Sequence, residues 1–169
     1  MAPRYPLGVA LRKDLEIAIG VRALSVLQFI YEKTDGRIGY RLGRARFLLL
    51  RCKGRKSGLI RTVELLYVDD GENQVVIGSK GGSDTPPAWL VNLQANPQAE
   101  VQVGRKRWQV TARVAGPSER ARLWRKATEV WPGYDAYQRR SSRQIPVVIL
   151  ERDNGRKATA SRQAAMNRR

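Results

Sequence analysis

The feature that most constrains the fold is a series of short apolar segments, several of them alternating with polar residues and most joined by short links. Alternation with a period of two is typical of β-strands, and we predict six of them, at 46–52, 62–68, 74–79, 99–103, 108–114 and 145–150. Asp69-Asp70-Gly71 and Gly104-Arg105 are typical of hairpin turns. The sequence therefore predicts a mainly β (α+β) fold, a six-stranded antiparallel barrel with peripheral helices.

Helical patterns lie before, between and after these segments. We predict short helices at 88–95, 118–131 and 134–140, and an amphipathic helix at 15–33 that either covers the sheet or lies on a membrane surface. Packing against the sheet is the favoured alternative. The expected organisation is a flexible N-terminus at 1–14, a helix and linker at 15–40, the barrel domain at 41–151 and a basic disordered tail at 152–169.

Charge and composition limit the kinds of partner and site that the protein can have. The 169 residues carry a formal net charge of +17, which favours an anionic partner such as nucleic acid, an anionic membrane or a phosphorylated ligand. The chain has no histidine and a single cysteine, Cys52, so we expect no metal site, no disulfide and a cytoplasmic protein. Cys52 lies in an apolar strand pattern and is predicted to be a buried, inert thiol.

A basic turn, Gly54-Arg55-Lys56-Ser57-Gly58, separates the first two strands. Glycines allow close approach of the backbone, while Arg55 and Lys56 supply a planar fork and a mobile point charge for an anion. Arg61 follows within reach. From the residues alone, a solvated surface turn is an equal alternative to an anion site.

A second basic, glycine-rich element, Ser79-Lys80-Gly81-Gly82, follows the third strand. It leads into the helix at 88–95, whose N-terminus is itself suited to an anion. Trp89 and Asn92 are three residues apart and share a face of that helix. Two such elements in one small barrel favour a polyanionic ligand, the phosphate-bearing tail of a redox cofactor.

An aromatic set, Trp131, Tyr134 and Tyr137, surrounds Pro132-Gly133. Aromatic side chains with polar tips are suited to a flat organic substrate. A core cluster at the end of a helix is an equal alternative.

These elements are followed by further motifs, Pro87-Ala88-Trp89, Asn92-Leu93, Ala95-Asn96-Pro97, Tyr137-Gln138-Arg139 and Ile145-Pro146-Val147-Val148. With them, residues 44–151 resemble the deazaflavin-dependent nitroreductase family. The resemblance implies a split β-barrel of the FMN-binding-like type and coenzyme F420 as cofactor. It implies that the basic turn, Arg61 and Lys80-Gly81 hold the phosphate and polyglutamate tail, and that Ser79, Trp89 and Asn92 lie along the deazaflavin.

On the substrate side, the resemblance implies a pocket formed by Leu66, Trp131, Tyr134 and Tyr137. Trp131 and Leu66 stand where the best-known type carries tyrosines, and Glu64 replaces a common proline. The implied reaction is hydride transfer from the reduced deazaflavin to an electron-poor or unsaturated substrate, such as a quinone, an enone or a nitro compound. The candidate catalytic residues are Ser79, Tyr134 and Tyr137, as proton donors or hydrogen-bonding groups for the substrate.

Other functions remain open. The same barrel could be a non-catalytic binding module for a lipid, haem or flavin. Specific nucleic-acid binding ranks last, because no recognised reading motif with interleaved aromatics is present. We expect a small-molecule substrate, a monomer or homodimer, and peripheral contact with an anionic membrane through residues 1–33 on the inner face of the membrane.

Overall fold

The computed structural model describes residue 26 and residues 28–153, and within them six strands form a closed antiparallel barrel. The strands are β2 (Ala45–Lys53), β3 (Ile60–Asp70), β4 (Asn73–Ile77), β5 (Gln98–Val103), β6 (Lys106–Val114) and β7 (Val147–Arg152). A two-residue strand, β1 (Arg41–Leu42), pairs with the start of β2. The predicted mainly β barrel is confirmed. β1 was not predicted, because two residues carry no periodicity.

The order of strands around the barrel is β2-β3-β4-β7-β6-β5, and β5 pairs back to β2. In the closing pair, Leu49 lies opposite Gln102 and Arg51 opposite Glu100. β2 is therefore hydrogen-bonded along both edges, and no edge of the six-stranded ring is left open there.

Four α-helices in the described part of the chain lie outside the barrel wall. Residue 26 and residues 28–33 are helical and form the described part of α1. The others are α2 (Ala88–Ala95), α3 (Pro117–Val130) and α4 (Gly133–Arg140). No helix in the described part of the chain is long and apolar enough to cross a membrane. The predicted flexible N-terminus, the start of the predicted helix at 15–33 and residues 154–169 of the predicted basic tail lie outside the described residues. Arg152, which the prediction placed in that tail, is the last residue of β7.

Three hydrophobic clusters account for the burial pattern of the strands. The first fills the barrel interior with Leu48, Leu50 and Val101, and receives Trp89, Leu90 and Leu93 from α2. The second lies between the outer face of β4 and β7 and the helices α3 and α4. The third joins α1 to the outer face of β2. Because β2, β4 and β7 are covered on both faces, they contain continuous apolar runs instead of strict alternation.

Tyr31 fixes α1 to the barrel. Its side chain is fully buried, and its hydroxyl accepts a hydrogen bond from Gly104 N at 2.8 Å. The same hydroxyl lies 3.3 Å from the Phe47 carbonyl and 3.2 Å from the Gln102 carbonyl, either of which can accept its proton. Burial raises the pKa of Tyr31 to about 12. Of the two alternatives for this helix, packing against the sheet is what residues 28–33 show.

Glu64 is a buried carboxylate that forms no hydrogen bond or ion pair within the described part of the chain. It lies on the outer face of β3, opposite Leu49 and two residues from Leu66, and is only 5% exposed. Neither carboxylate oxygen has a hydrogen-bond partner among the described residues. Burial raises the pKa of Glu64 to about 7. The folded protein therefore holds this carboxyl neutral at a pH where the unfolded chain ionises it.

We expect Glu64 to make the protein less stable as the pH rises from about 4.5 to about 7. Above about pH 7 the carboxyl is ionised in both the folded and the unfolded state, so the loss of stability levels off, at about 3 kcal/mol. Glu64→Gln removes the ionisable group and with it this pH-dependent loss of stability. Urea unfolding at pH 5 and pH 8 should show the variant gaining stability over the wild type mainly at pH 8.

The matched control is Glu129→Gln, which removes an exposed carboxylate from α3. Its stability curve should run parallel to that of the wild type. If the Glu64→Gln curve is also parallel, the buried carboxyl does not have the raised pKa.

Candidate functional site

A cleft of about 660 Å³ opens between the basic turn, the start of β3 and the N-terminal part of α2. Eight of the predicted cofactor residues line it: Gly54, Arg55, Lys56, Ser57, Arg61, Lys80, Trp89 and Asn92. Gly58, Ser79 and Gly81, also predicted, do not. The basic turn and the second basic element, which are about twenty residues apart in sequence, therefore meet at one site.

The basic turn is closed by its own backbone. Gly54 N donates to the Leu59 carbonyl and Gly58 N donates to the Gly54 carbonyl, both at 2.8 Å. Gly58 has a φ of +69°, a conformation that glycine adopts without steric cost. With the ends of the turn tied together, Arg55, Lys56 and Ser57 are exposed.

Asn92 joins this turn to α2. It is 9% exposed, and its Oδ1 accepts a hydrogen bond from Arg55 N at 3.1 Å. Cys52 lies beside it in the cleft wall and is 1% exposed, so its predicted burial is confirmed. Burial raises the pKa of the Cys52 thiol, and a hydrogen bond with Asn92 partly offsets that effect. A neutral thiol and a fixed amide thus form the floor beneath the charged turn.

Lys80 brings a further cation from the other side. Its Nζ donates to Thr85 Oγ1 at 2.8 Å. Pro86 and Ala88, at the start of α2, line the cleft next to it. The N-terminus of α2 has no side-chain cap, so its first backbone N–H groups are available to an anion.

The chemistry of the lining fits a phosphate- and carboxylate-bearing tail. Four lining residues are cationic, namely Arg55, Lys56, Arg61 and Lys80, and none of the lining residues in the described part of the chain is acidic. None of the four forms a salt bridge with a described residue. A converging group of unpaired cations is costly by self-repulsion and is offset by binding an anion.

The predicted substrate residues lie elsewhere. Leu66, Tyr134 and Tyr137 come together at the second cluster, where Tyr134 is 6% exposed, while Trp131 is 44% exposed at the end of α3. The rings of Tyr134 and Tyr137 are 6.2 Å apart in an edge-to-face arrangement. None of the four lines the cleft. Their roles at a substrate remain predictions, and the core packing of Tyr134 agrees with the alternative stated for it.

The candidate catalytic hydroxyls differ in their surroundings. Ser79 is 9% exposed and its backbone leaves the sheet just after β4. Burial raises the pKa of Tyr134 well above its usual range, which makes it a weak proton donor. Tyr137 is half-buried on α4. The catalytic role of each remains a prediction.

Sequence reasoning missed two residues that contact the predicted site residues or their backbone, Trp124 and Arg143. Trp124 packs its ring 6.2 Å from that of Tyr134 and donates from Nε1 to Asp135 Oδ1 at 2.8 Å. Arg143 donates to backbone carbonyls on both sides of Lys80. No local motif marks either residue. The spacing of Trp124 from the predicted aromatic set could have suggested the first.

Comparison with known proteins shows the family to which this chain belongs. Residues 25–152 match the family model described as F420H(2)-dependent quinone reductase. A curated relative, an F420H(2)-dependent quinone reductase of Mycobacterium tuberculosis strain H37Rv, is 44% identical over 142 residues, which cover 82% of this chain and 95% of the relative.

Two solved structures are also similar. One, described as an F420-H2 dependent reductase, has a TM-score of 0.59 and 39% identity, and the match covers 62% of this chain and 93% of that one. Another, described as a domain-swapped dimer, has a TM-score of 0.60 and 36% identity over 73% of this chain and 98% of that one. The predicted resemblance to deazaflavin-dependent reductases with a split barrel is confirmed. This chain belongs to the F420H(2)-dependent quinone reductase family.

Proposed function

We propose that this protein is an F420-dependent oxidoreductase that reduces a quinone. The observation that carries the proposal is the convergence of Arg55, Lys56, Arg61 and Lys80 on one cleft without acidic lining residues. Such a site is suited to the phosphate and polyglutamate tail of F420. Family membership supplies the cofactor class.

The residues of the chain bind and orient the cofactor. Arg55 and Arg61 offer planar forks to phosphate or carboxylate oxygens, and Lys56 and Lys80 offer point charges. Trp89 and Asn92, both buried on α2, line the same cleft with a flat indole ring and an amide. When bound, the reduced deazaflavin supplies a hydride, which together with one proton converts a quinone to a hydroquinone.

The proposed substrate side is the aromatic group on α3 and α4. Trp131 is exposed and Tyr137 is half-buried, so both can contact a flat ring. The proton for the product comes from water or from a hydroxyl of Ser79, Tyr134 or Tyr137. No histidine or metal is needed, because the cofactor carries the difficult step.

Removal of a cleft cation should weaken coenzyme binding. Each of Arg55→Met, Lys56→Met and Lys80→Met removes a charge-assisted contact, so we expect about a tenfold to hundredfold loss of affinity for F420. Fluorescence titration of the oxidised coenzyme measures it. Arg105→Met is the matched control, since Arg105 is exposed in the turn between β5 and β6 and does not line the cleft.

Wild-type affinity weaker than about 100 μM, which corresponds to about −5.5 kcal/mol, would contradict the proposal. Equal losses in Arg105→Met and in the cleft variants would show that only the net charge matters.

A single-turnover experiment distinguishes a reductase from a non-catalytic binding module of the same barrel. Protein loaded with reduced F420 is mixed with menadione, and oxidation of the coenzyme is followed by its absorbance. We expect oxidation at least about tenfold faster than for the free coenzyme, because a bound cofactor and substrate react in a fixed geometry. Tight binding with no acceleration by any quinone, enone or nitro compound would favour the binding module.

Peripheral contact with an anionic membrane is a further part of this proposal. In the described residues of α1, β1 and the segment between them, exposed apolar side chains alternate along the sequence with exposed basic ones. We name these residues the α1–β1 surface: Val26, Phe29, Ile30, Ile38, Tyr40 and Leu42, with Lys33, Arg37, Arg41 and Arg44. Apolar groups interleaved with cations are suited to the headgroup region of an anionic bilayer.

We expect the protein to float with vesicles of phosphatidylcholine and phosphatidylglycerol, and less with phosphatidylcholine alone. Phe29→Ser and Leu42→Ser together should reduce flotation at least about fivefold, because both side chains are more than half exposed and lose apolar contact with the bilayer. Val114→Ser, on β6, is the matched control and should float like the wild type. Equal flotation of all three proteins would contradict the contact.

A further inference from the structure

Residues 80–82 have an unusual backbone. Lys80, Gly81 and Gly82 have φ values of +46°, +63° and +84°, so three consecutive residues are in the left-handed region. Glycine tolerates this region, whereas lysine rarely adopts it. A lysine held there depends on contacts from its surroundings.

Arg143 supplies such contacts from the segment that follows α4. Its Nη2 donates to the Gly78 carbonyl at 2.8 Å and to the Ser79 carbonyl at 3.2 Å. Its Nε donates to the Ser83 carbonyl at 3.0 Å. One planar guanidinium therefore bridges both ends of the left-handed stretch, which a lysine ammonium cannot do with the same geometry.

Two further contacts hold the same stretch against α4 and the chain after it. Asp84 Oδ1 accepts hydrogen bonds from Ser142 N at 2.7 Å and from Ser142 Oγ at 2.8 Å. Gly82 lies so close to α4 that a Cβ there would be 2.8 Å from the Tyr137 carbonyl oxygen and 3.0 Å from its Cα. The position of Lys80 is thus tied to the helix that carries Tyr134 and Tyr137.

Arg143 itself does not line the cleft, whereas Lys80 does. We propose that Arg143 is a positioning residue that holds residues 78–83 in the conformation in which Lys80 meets the anionic tail of F420, and that it ties this contact to α4. This inference rests on the proposed function for the identity of the anion. The structural part, the claim that Arg143 holds residues 78–83 in place, does not depend on any ligand.

Amide hydrogen exchange tests the structural part without any coenzyme. Gly82 N donates to the Ser79 carbonyl and Ser83 N to the Lys80 carbonyl, so these amides report on the left-handed stretch. In Arg143→Met we expect their exchange to be at least about tenfold faster, because local opening becomes easier. Arg139→Met, which removes an exposed arginine from α4, is the matched control and should leave both amides unchanged.

A double-mutant cycle tests the action through Lys80. We expect Arg143→Met to weaken F420 binding about tenfold in the wild type but less than about threefold in a Lys80→Ala background, as for residues that are coupled. Arg143→Lys keeps the charge without the fork and should give an intermediate loss. Arg143→Lys is also the test variant to use if Arg143→Met folds poorly.

Unchanged exchange at Gly82 and Ser83 in both Arg143 variants would overturn the positioning role, whether or not the coenzyme binds. Equal losses of affinity in the two backgrounds would also overturn it, because Arg143 would then act independently of Lys80. Wild-type protein that fails to bind F420 would contradict the proposed function instead, and the exchange result would still decide whether Arg143 holds the segment.

Discussion

Pairing of β2 along both of its edges is the constraint on which the rest of the structure depends. β2 pairs with β3 from Arg46 to Lys53 and with β5 from Leu49 to Cys52, so this one strand closes the barrel. Its side chains face the barrel interior on one side and α1 on the other, which explains why Leu48, Leu49 and Leu50 are all fully buried. The basic turn begins where this rigid strand ends, so its cations are presented from a fixed base.

The proposed site has two regions, a cation-lined cleft and a group of aromatic side chains, joined by a short stretch of backbone. Cations of the basic turn and Lys80 face the cleft, whereas the aromatic side chains of α4 belong to the second hydrophobic cluster. Residues 78–84 connect them, since Lys80 lines the cleft and Gly82 contacts the backbone of Tyr137. A change of conformation in this stretch would alter the cation contact and the aromatic wall together. Such a link suits an enzyme that must place a cofactor and a substrate at a set distance.

Much of the fold could be predicted from the sequence because its elements follow local rules. The alternation at 108–114 and the helix from Ala88 to Ala95 depend on neighbouring residues, and both agree with the structure. The hairpin predicted at 69–71 also forms, but Asp69 and Asp70 belong to β3 and the turn begins at Gly71. The third strand was predicted to reach Ser79, but it ends at Ile77. Gly78 instead donates its N–H to the Pro146 carbonyl, and Ser79 donates its N–H to the Ile77 carbonyl, so the chain turns away from the sheet.

The unpredicted features depend on contacts distant in sequence. Arg143 reaches carbonyls about 60 residues earlier, and nothing in its own neighbourhood marks it. Glu64 was noticed only as a departure from a family pattern, whereas its burial, with no hydrogen-bond partner in the part of the chain that the structure describes, depends on the covering of the outer face of β3. The glycine-rich basic elements were recognised from local sequence, but only the fold shows that eight of the predicted residues share one cleft.

The central claim is that the basic cleft binds F420 through its anionic tail. The most direct test compares the affinity of intact F420 with that of the same deazaflavin lacking the phosphate and polyglutamate tail, over a range of salt concentrations. We expect the truncated compound to bind at least about 100-fold more weakly, because it loses two or more charge-assisted contacts. Salt should weaken binding of the intact coenzyme much more than binding of the fragment. Equal affinities, or equal salt dependence, would contradict the account.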